Sequence, residues 1–156
     1  MLDSIKSRLK GKVAVLGIGN TLRSDDGAGS ILASRIKDKF GFVVFDAGAS
    51  PENYLERLIR EKPDTVVIID TADFGGLPGE FKVLQPNEIK TVNLFFTHNA
   101  SVSLTINYLQ IHLKADIIVL IIQPKSLVLG ENLSCEVAQA VDRLEDWFYE
   151  AAEKKR

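Results

Sequence analysis

Lys12-Val13-Ala14-Val15-Leu16 runs directly into Gly17-Ile18-Gly19-Asn20, and after Thr21-Leu22-Arg23 comes Ser24-Asp25-Asp26-Gly27-Ala28-Gly29. The apolar run predicts a strand over residues 12–16, and the two glycines behind it predict a tight turn. Ile31, Leu32, Ile36 and Phe40 then recur at helical spacing, which predicts a helix over residues 26–39. Ser24, Asp25 and Asp26 offer side-chain oxygens for its N-cap. Strand, glycine turn and helix in that order make the opening unit of a parallel α/β sheet.

The rest of the chain repeats this unit. Residues 42–45 predict a second strand ending at Asp46. Residues 51–61 predict a second helix, with Ser50 at its cap, Pro51 in its first position and Leu55, Leu58 and Ile59 on its buried face. Thr65-Val66-Val67-Ile68-Ile69 reads as a central strand covered on both faces, ending at Asp70. A turn-rich stretch over 73–79 leads to a short strand over 80–84, placed antiparallel at an edge. A helix over 100–113 is expected to bury Leu104, Tyr108 and Ile111. A last strand over 117–122 stops at Gln123-Pro124, and a closing helix over 134–150 turns Val137, Val141, Leu144 and Phe148 inward. With no repeat, low-complexity stretch or linker, residues 1–156 are read as one α/β domain with a mostly parallel sheet.

Composition removes several function classes. Nineteen basic residues against twenty-one acidic ones leave no basic excess for nucleic acid. Residues 1–12 lack the long apolar segment of a secretion signal, and the longest apolar run, 117–122, is too short to span a bilayer; a cytoplasmic protein without membrane insertion is expected. The one cysteine, Cys135, excludes an internal disulfide and any CxxC metal site. Its neighbours supply no cation to activate it, so it reads as a small apolar helix residue.

In an open parallel sheet, sites lie beyond the carboxyl ends of the strands. Those ends carry the polar residues here: Asn20, Asp25 and Asp26 after the first strand, Asp46 after the second, Asp70 after the third, Gln123 after the last, and His98 before the third helix. Each has a local use. Asp25 or Asp26 could cap a helix, Asp46 could close an Asx-turn into Gly48, Asp70 could cap or turn before Thr71, and His98 could open a helix. Together they converge on one crevice. His112, mid-helix and without a carboxylate partner, reads as a partly exposed helix residue. Two carboxylates and an imidazole suit a divalent cation with open positions, the catalytic rather than the structural pattern. No HExxH, GxSxG or P-loop pattern occurs. The Gly17-Ile18-Gly19 pair lacks the third glycine of a dinucleotide turn, since Leu22 stands there, and two carboxylates at that helix start would repel a pyrophosphate.

These residues resemble the hydrogenase maturation endopeptidases, which trim the large subunit of nickel–iron hydrogenases. The likeness runs from Val13 to about Trp147. It rests on Gly17-Ile18-Gly19-Asn20 with Asp25-Asp26-Gly27-Ala28-Gly29, on Ile69-Asp70-Thr71-Ala72-Asp73 followed by Pro78-Gly79, on Thr97-His98-Asn99, and on Gln123-Pro124. The resemblance implies a three-layer α/β/α sandwich around a mostly parallel five- or six-stranded sheet. It also implies that Asp26, Asp70 and His98 contact a metal and carry the catalysis. On this resemblance the metal is expected to be Ni2+, brought by the precursor of the large subunit, with Zn or Cd able to occupy the same place. Cleavage then removes a C-terminal extension of that precursor. A monomer suits a chain that must dock on a large partner. Many relatives carry Gly-Gly after the second-strand aspartate, where this chain has Asp46-Ala47-Gly48-Ala49. Two rival readings stand beside this one: a nickel-binding escort that does not cut, and a nucleotide-binding oxidoreductase domain. The residue serving as general base is left open.

Overall fold

The computed structural model describes residues 2–89, 95–96 and 99–155 of the 156. The described chain holds α1 (Leu2–Lys6), β1 (Val13–Ile18), α2 (Ala28–Ile36), β2 (Val43–Gly48), α3 (Leu55–Arg60), β3 (Thr65–Asp73), β4 (Phe81–Leu84), β5 (Phe95–Phe96), α4 (Asn99–His112), β6 (Asp116–Ile122) and α5 (Cys135–Lys155). The sheet order is β2-β1-β3-β6-β4, with β5 paired to β3 off this path. β2, β1, β3 and β6 are mutually parallel, while β4 runs antiparallel to β6 at the edge, as its short run of residues predicts.

Alternation along the strands explains why they are apolar nearly throughout. Val13 and Val15, Val67 and Ile69, and Ile118 and Leu120 join one core with α1, α2 and α5. Ala14 and Leu16, Val66 and Ile68, and Ile117 and Val119 join the other with α3 and α4. Both faces of the sheet are covered, which is the three-layer sandwich. Val137, Val141, Leu144 and Phe148 of α5 are fully buried, as their spacing requires.

Several local expectations change. The first predicted helix begins as a 3-10 turn, Ser24–Gly27, and becomes α-helical only at Ala28, with no side-chain cap on either. β3 continues past Ile69 to Asp73, because the stretch beyond Asp70 pairs on one side with β6 (Thr71 with Ile122) and on the other with β5 (Ala72 with Phe96). In α4, Leu104 and Ile111 are mostly exposed and Tyr108 is partly so. Val102, Ile106 and Leu109 are buried instead. α4 carries apolar residues on two faces, so its period alone does not say which face meets the sheet.

Strand order sets where a site can form. The chain leaves β1 through α2 to reach β2 on one side of it, then returns through α3 to place β3 on the other side. The direction of winding therefore reverses between β1 and β3, which makes their carboxyl ends the switch point of the sheet. Over that point α2 sits unusually close. A methyl group on Gly29 would overlap the carbonyl oxygens of Ile18 and Ile69, and one on Gly17 would overlap Ala33 and the Gly29 carbonyl. Only hydrogen at these positions lets the first turn of α2 rest on the ends of both strands. Replacing Gly29 by alanine should cost about 1–3 kcal/mol, the usual range for overpacking. Urea unfolding checks this: a lower midpoint at unchanged slope is expected.

Candidate functional site

The turn between β1 and α2 is held from several directions. Asn20 closes it locally: its Oδ1 accepts the Leu22 N–H (3.0 Å) and its own N–H donates to the Asp26 carbonyl (3.1 Å). Ser24 adopts a left-handed backbone (φ 50°), which a residue other than glycine tolerates only when its surroundings enforce it. Here the Ser24 N–H donates to the Glu131 carbonyl (3.0 Å) and its hydroxyl to the Asn132 carbonyl (2.8 Å).

Asp25 is fully buried and does not cap α2. Its Oδ2 accepts the N–H groups of Lys125 (2.8 Å) and Ser126 (3.0 Å) and the Ser134 hydroxyl (2.9 Å). Its Oδ1 accepts the Ser134 N–H (2.7 Å). A buried carboxylate with four donors is well compensated. Asp25 thus ties both ends of the loop after β6 to the turn after β1. The Asp25 carbonyl in turn accepts the Thr71 hydroxyl (3.0 Å), which locks the turn to β3.

Asp70 is the opposite case. It is fully buried in β3, on the register that faces the α3–α4 layer. Its Oδ1 accepts the Thr71 N–H (2.7 Å), but its Oδ2 has no hydrogen-bond partner among the described residues. Burial pushes its pKa well above the ordinary carboxylate value, the Thr71 N–H opposes that shift, and the charge of Asp26 adds to it. Asp26 is itself almost wholly buried. The Thr71–Asp25 bond and the contact of Gly29 with the Ile69 carbonyl set the Asp26 turn beside Asp70 at the switch point. His98, the third residue expected there, lies outside the described residues.

Two other strand-end residues turn out to be braces. Asp46 accepts the Ser30 hydroxyl, tying α2 to β2, and accepts the Gly48 N–H (3.3 Å) in the expected Asx-turn. Gln123 accepts the N–H groups of Phe74 (2.9 Å) and Gly76 (3.1 Å), donates to Asp73 (3.1 Å), and so shapes the loop between β3 and β4. Hydrogen bonds from Gly75 and Gln123 lower the Asp73 pKa. His112 is exposed and stacked on Tyr108 at 4.3 Å between ring centroids. Cys135 opens α5 and is exposed rather than packed. The bracing roles of Asp25 and Gln123 could not be read from sequence, since most of their partners are backbone groups, up to about a hundred residues away.

An unsatisfied carboxylate oxygen beside a second buried carboxylate is a donor set that suits a divalent cation. Among the described residues no group of three His, Cys, Asp or Glu could hold a metal ion.

Residues 29–151 match the HycI family of hydrogenase maturation proteases. The chain belongs to this family. It is 34% identical to the hydrogenase 3 maturation protease of Escherichia coli K12, over 85% of this chain and 88% of that one. Its fold superposes on the crystal structure of the [NiFe] hydrogenase maturation protease HycI from Thermococcus kodakarensis with a TM-score of 0.85, at 29% identity over 96% and 99% of the two chains. The solution structure of the endopeptidase HycI from Escherichia coli aligns with a TM-score of 0.78, at 27% identity over 90% of each chain. Among the described residues no helix is long and apolar enough to cross a membrane.

For a protease of this family, the state of Asp70 yields a stability test. A raised folded-state pKa means the folded protein holds this proton more tightly than the unfolded chain does. That contribution is fully present below the unfolded-state pKa and is lost as pH rises through the folded value. Asp70→Asn keeps an acceptor for the Thr71 N–H and removes the buried charge. In metal-free protein, its stability advantage over wild type should grow with pH above about 4, by at most about 1.4 kcal/mol per pH unit, and then level off. Urea midpoints across that pH range measure it.

Proposed function

We propose that this chain is the endopeptidase that removes the C-terminal extension of a nickel–iron hydrogenase large-subunit precursor once nickel is in place. The observation that supports this reading best is the Asp26–Asp70 pair: two buried carboxylates meet at the crevice, and one oxygen of Asp70 has no hydrogen-bond partner among the described residues. Such an oxygen is costly unless something fills its place. The precursor's own nickel ion is that something.

On this reading Asp26, Asp70 and His98 take open positions on an ion that the precursor carries in. Binding of the ion replaces the charge that burial denies to Asp70, so substrate capture and ionisation of Asp70 go together. His98 contributes as neutral imidazole, which makes capture weaken at acid pH. Zn or Cd can stand in for nickel at the same ligands. Anchoring the ion fixes the precursor relative to the peptidase, so that one peptide bond is presented in a constant position. A divalent ion in that place supplies Lewis-acid polarisation of a nearby carbonyl. Asp25 and Thr71 keep the Asp26 turn seated on β3 while this happens. Without nickel the precursor lacks the contact, and cleavage waits for metal insertion.

The reading predicts how purified large-subunit precursor behaves with the protein. Nickel-loaded precursor should be shortened by wild type, and metal-free precursor should not. Asp26→Asn, Asp70→Asn and His98→Ala should each lower the cleavage rate by at least about a hundredfold, comparable to losing a key electrostatic contact. Far-UV circular dichroism should show their folds unchanged. Mass spectrometry of the product decides the matter. A precursor that is bound but never shortened would identify an escort module instead.

A further inference from the structure

Three large apolar side chains stand exposed on the Asp26 turn and the loop bonded to it: Leu22, Val128 and Leu129 are 68%, 55% and 67% exposed. They belong to two loops joined edge to edge. The Gly130 N–H donates to the Leu22 carbonyl (2.8 Å), and the Ser24 N–H donates to the Glu131 carbonyl (3.0 Å). Single exposed aliphatic residues are ordinary on a protein surface, but three on two loops bonded to each other beside Asp26 offer a contact surface.

The loop that carries Val128 and Leu129 is not left to fluctuate. Both of its ends are bonded to one buried side chain, Asp25, through Lys125 and Ser126 at one end and Ser134 at the other. Within it the Ser126 hydroxyl accepts the Val128 N–H (3.2 Å) and donates to Glu131 (3.1 Å). Lys125 is neutralised by Glu136 (2.8 Å). A buried carboxylate is thus committed to holding an exposed apolar loop in one shape, beside a residue that the proposed function assigns to the ion.

We propose that Leu22, Val128 and Leu129 form the platform on which an apolar surface of the hydrogenase large-subunit precursor docks, and that Asp25 is its positioning residue. The inference rests on the reading of Asp26 and Asp70 given above. It follows from access: Asp26 is only 2% exposed and Asp70 not at all. An ion carried by another protein reaches them only if that protein lies over their rim. Leu22 is four residues before Asp26 and is bonded to the 128–131 loop, so a partner seated at Asp26 covers both. Burying these side chains on contact releases their water and supplies affinity that the ion alone does not. Because the loop is already held in shape, little ordering is required on docking.

The test separates binding from cutting. The dissociation constant of purified nickel-loaded precursor is measured by calorimetry, and its processing by kcat and KM. The proteins are wild type, Leu22→Ser, Leu129→Ser, Asp25→Asn and the double variant Asp25→Asn with Leu129→Ser. Leu22→Ser and Leu129→Ser change only exposed side chains, so their folding is not at stake. Each should weaken binding and raise KM about tenfold, with kcat within about twofold of wild type. Asp25→Asn should speed hydrogen exchange at the Lys125, Ser126 and Ser134 amides and weaken binding. Adding Leu129→Ser to it should cost clearly less than it does in wild type, because the two act through one loop. Unchanged binding by both leucine variants overturns the proposal. So does a free protein that sediments as a dimer in wild type and as a monomer in Leu129→Ser, since a second copy would then be the occupant. Leucine-dependent binding without any cleavage upholds the platform while refuting the peptidase reading, and absence of all binding refutes both.

Discussion

The arrangement depends on one steric constraint, the contact of the first turn of α2 with the carbonyl ends of β1 and β3. Gly29 lies against the Ile18 and Ile69 carbonyls, and Gly17 lies under Ala33, with no space for a Cβ at either place. This approach seats the Ser24–Gly27 turn directly over the switch point of the sheet. Asp26 precedes Gly29 by three residues, and Asp70 follows Ile69 by one. The same contact that packs helix on sheet therefore sets the spacing of the two carboxylates. Lifting α2 by the width of a methyl group would separate them and strain the bonds made by Asp25.

Two buried aspartates close to one another in this turn and strand have opposite fates. Asp25 receives three backbone N–H groups and a hydroxyl, and its charge is compensated in full. Asp70 receives one N–H and keeps one oxygen unmatched among the described residues. A fold can carry an unmatched buried oxygen only at a cost in stability, and such costs concentrate at sites of function. On the proposed reading Asp25 belongs to the scaffold and Asp70 to the chemistry, although both are carboxylates at the carboxyl edge of the same sheet. The proposed capture of a precursor-borne cation gives the unmatched oxygen its partner at the moment of binding.

Much of this was legible in the residues. β-branched runs located β1, β3 and β6, the heptad-like spacing in α5 located its buried face, and the strand–helix alternation implied the layered sheet. The edge position of β4 followed from its short length. Other elements were hidden for physical reasons. The polar pair Asp70-Thr71 masks the continuation of β3, because the pairing that sustains it comes from β5 and β6 rather than from apolar character. α4 presents apolar side chains on two faces, and only its docking against α3 and the sheet selects Val102, Ile106 and Leu109 for burial. At the site, placement at strand ends drew attention to Asp25, Asp26 and Asp70 alike, and the family resemblance separated Asp26 and Asp70 from the rest. The same placement also flagged Asp46 and Gln123, which serve as braces. Nothing local distinguishes an acid that will meet three backbone amides from one that will meet a single one, so the division between Asp25 and Asp70 emerges only in three dimensions.

The central claim is that Asp26, Asp70 and His98 complete the coordination of a nickel ion that arrives with the precursor. X-ray absorption at the nickel edge tests it most directly, comparing loaded precursor alone with the same precursor in complex with metal-free wild-type protein. The account predicts additional oxygen and nitrogen scatterers in the nickel first shell on complex formation, and their loss when the Asp26 and Asp70 carboxylates are replaced by amides. A complex that forms while the nickel first shell stays as it was in the free precursor would contradict it.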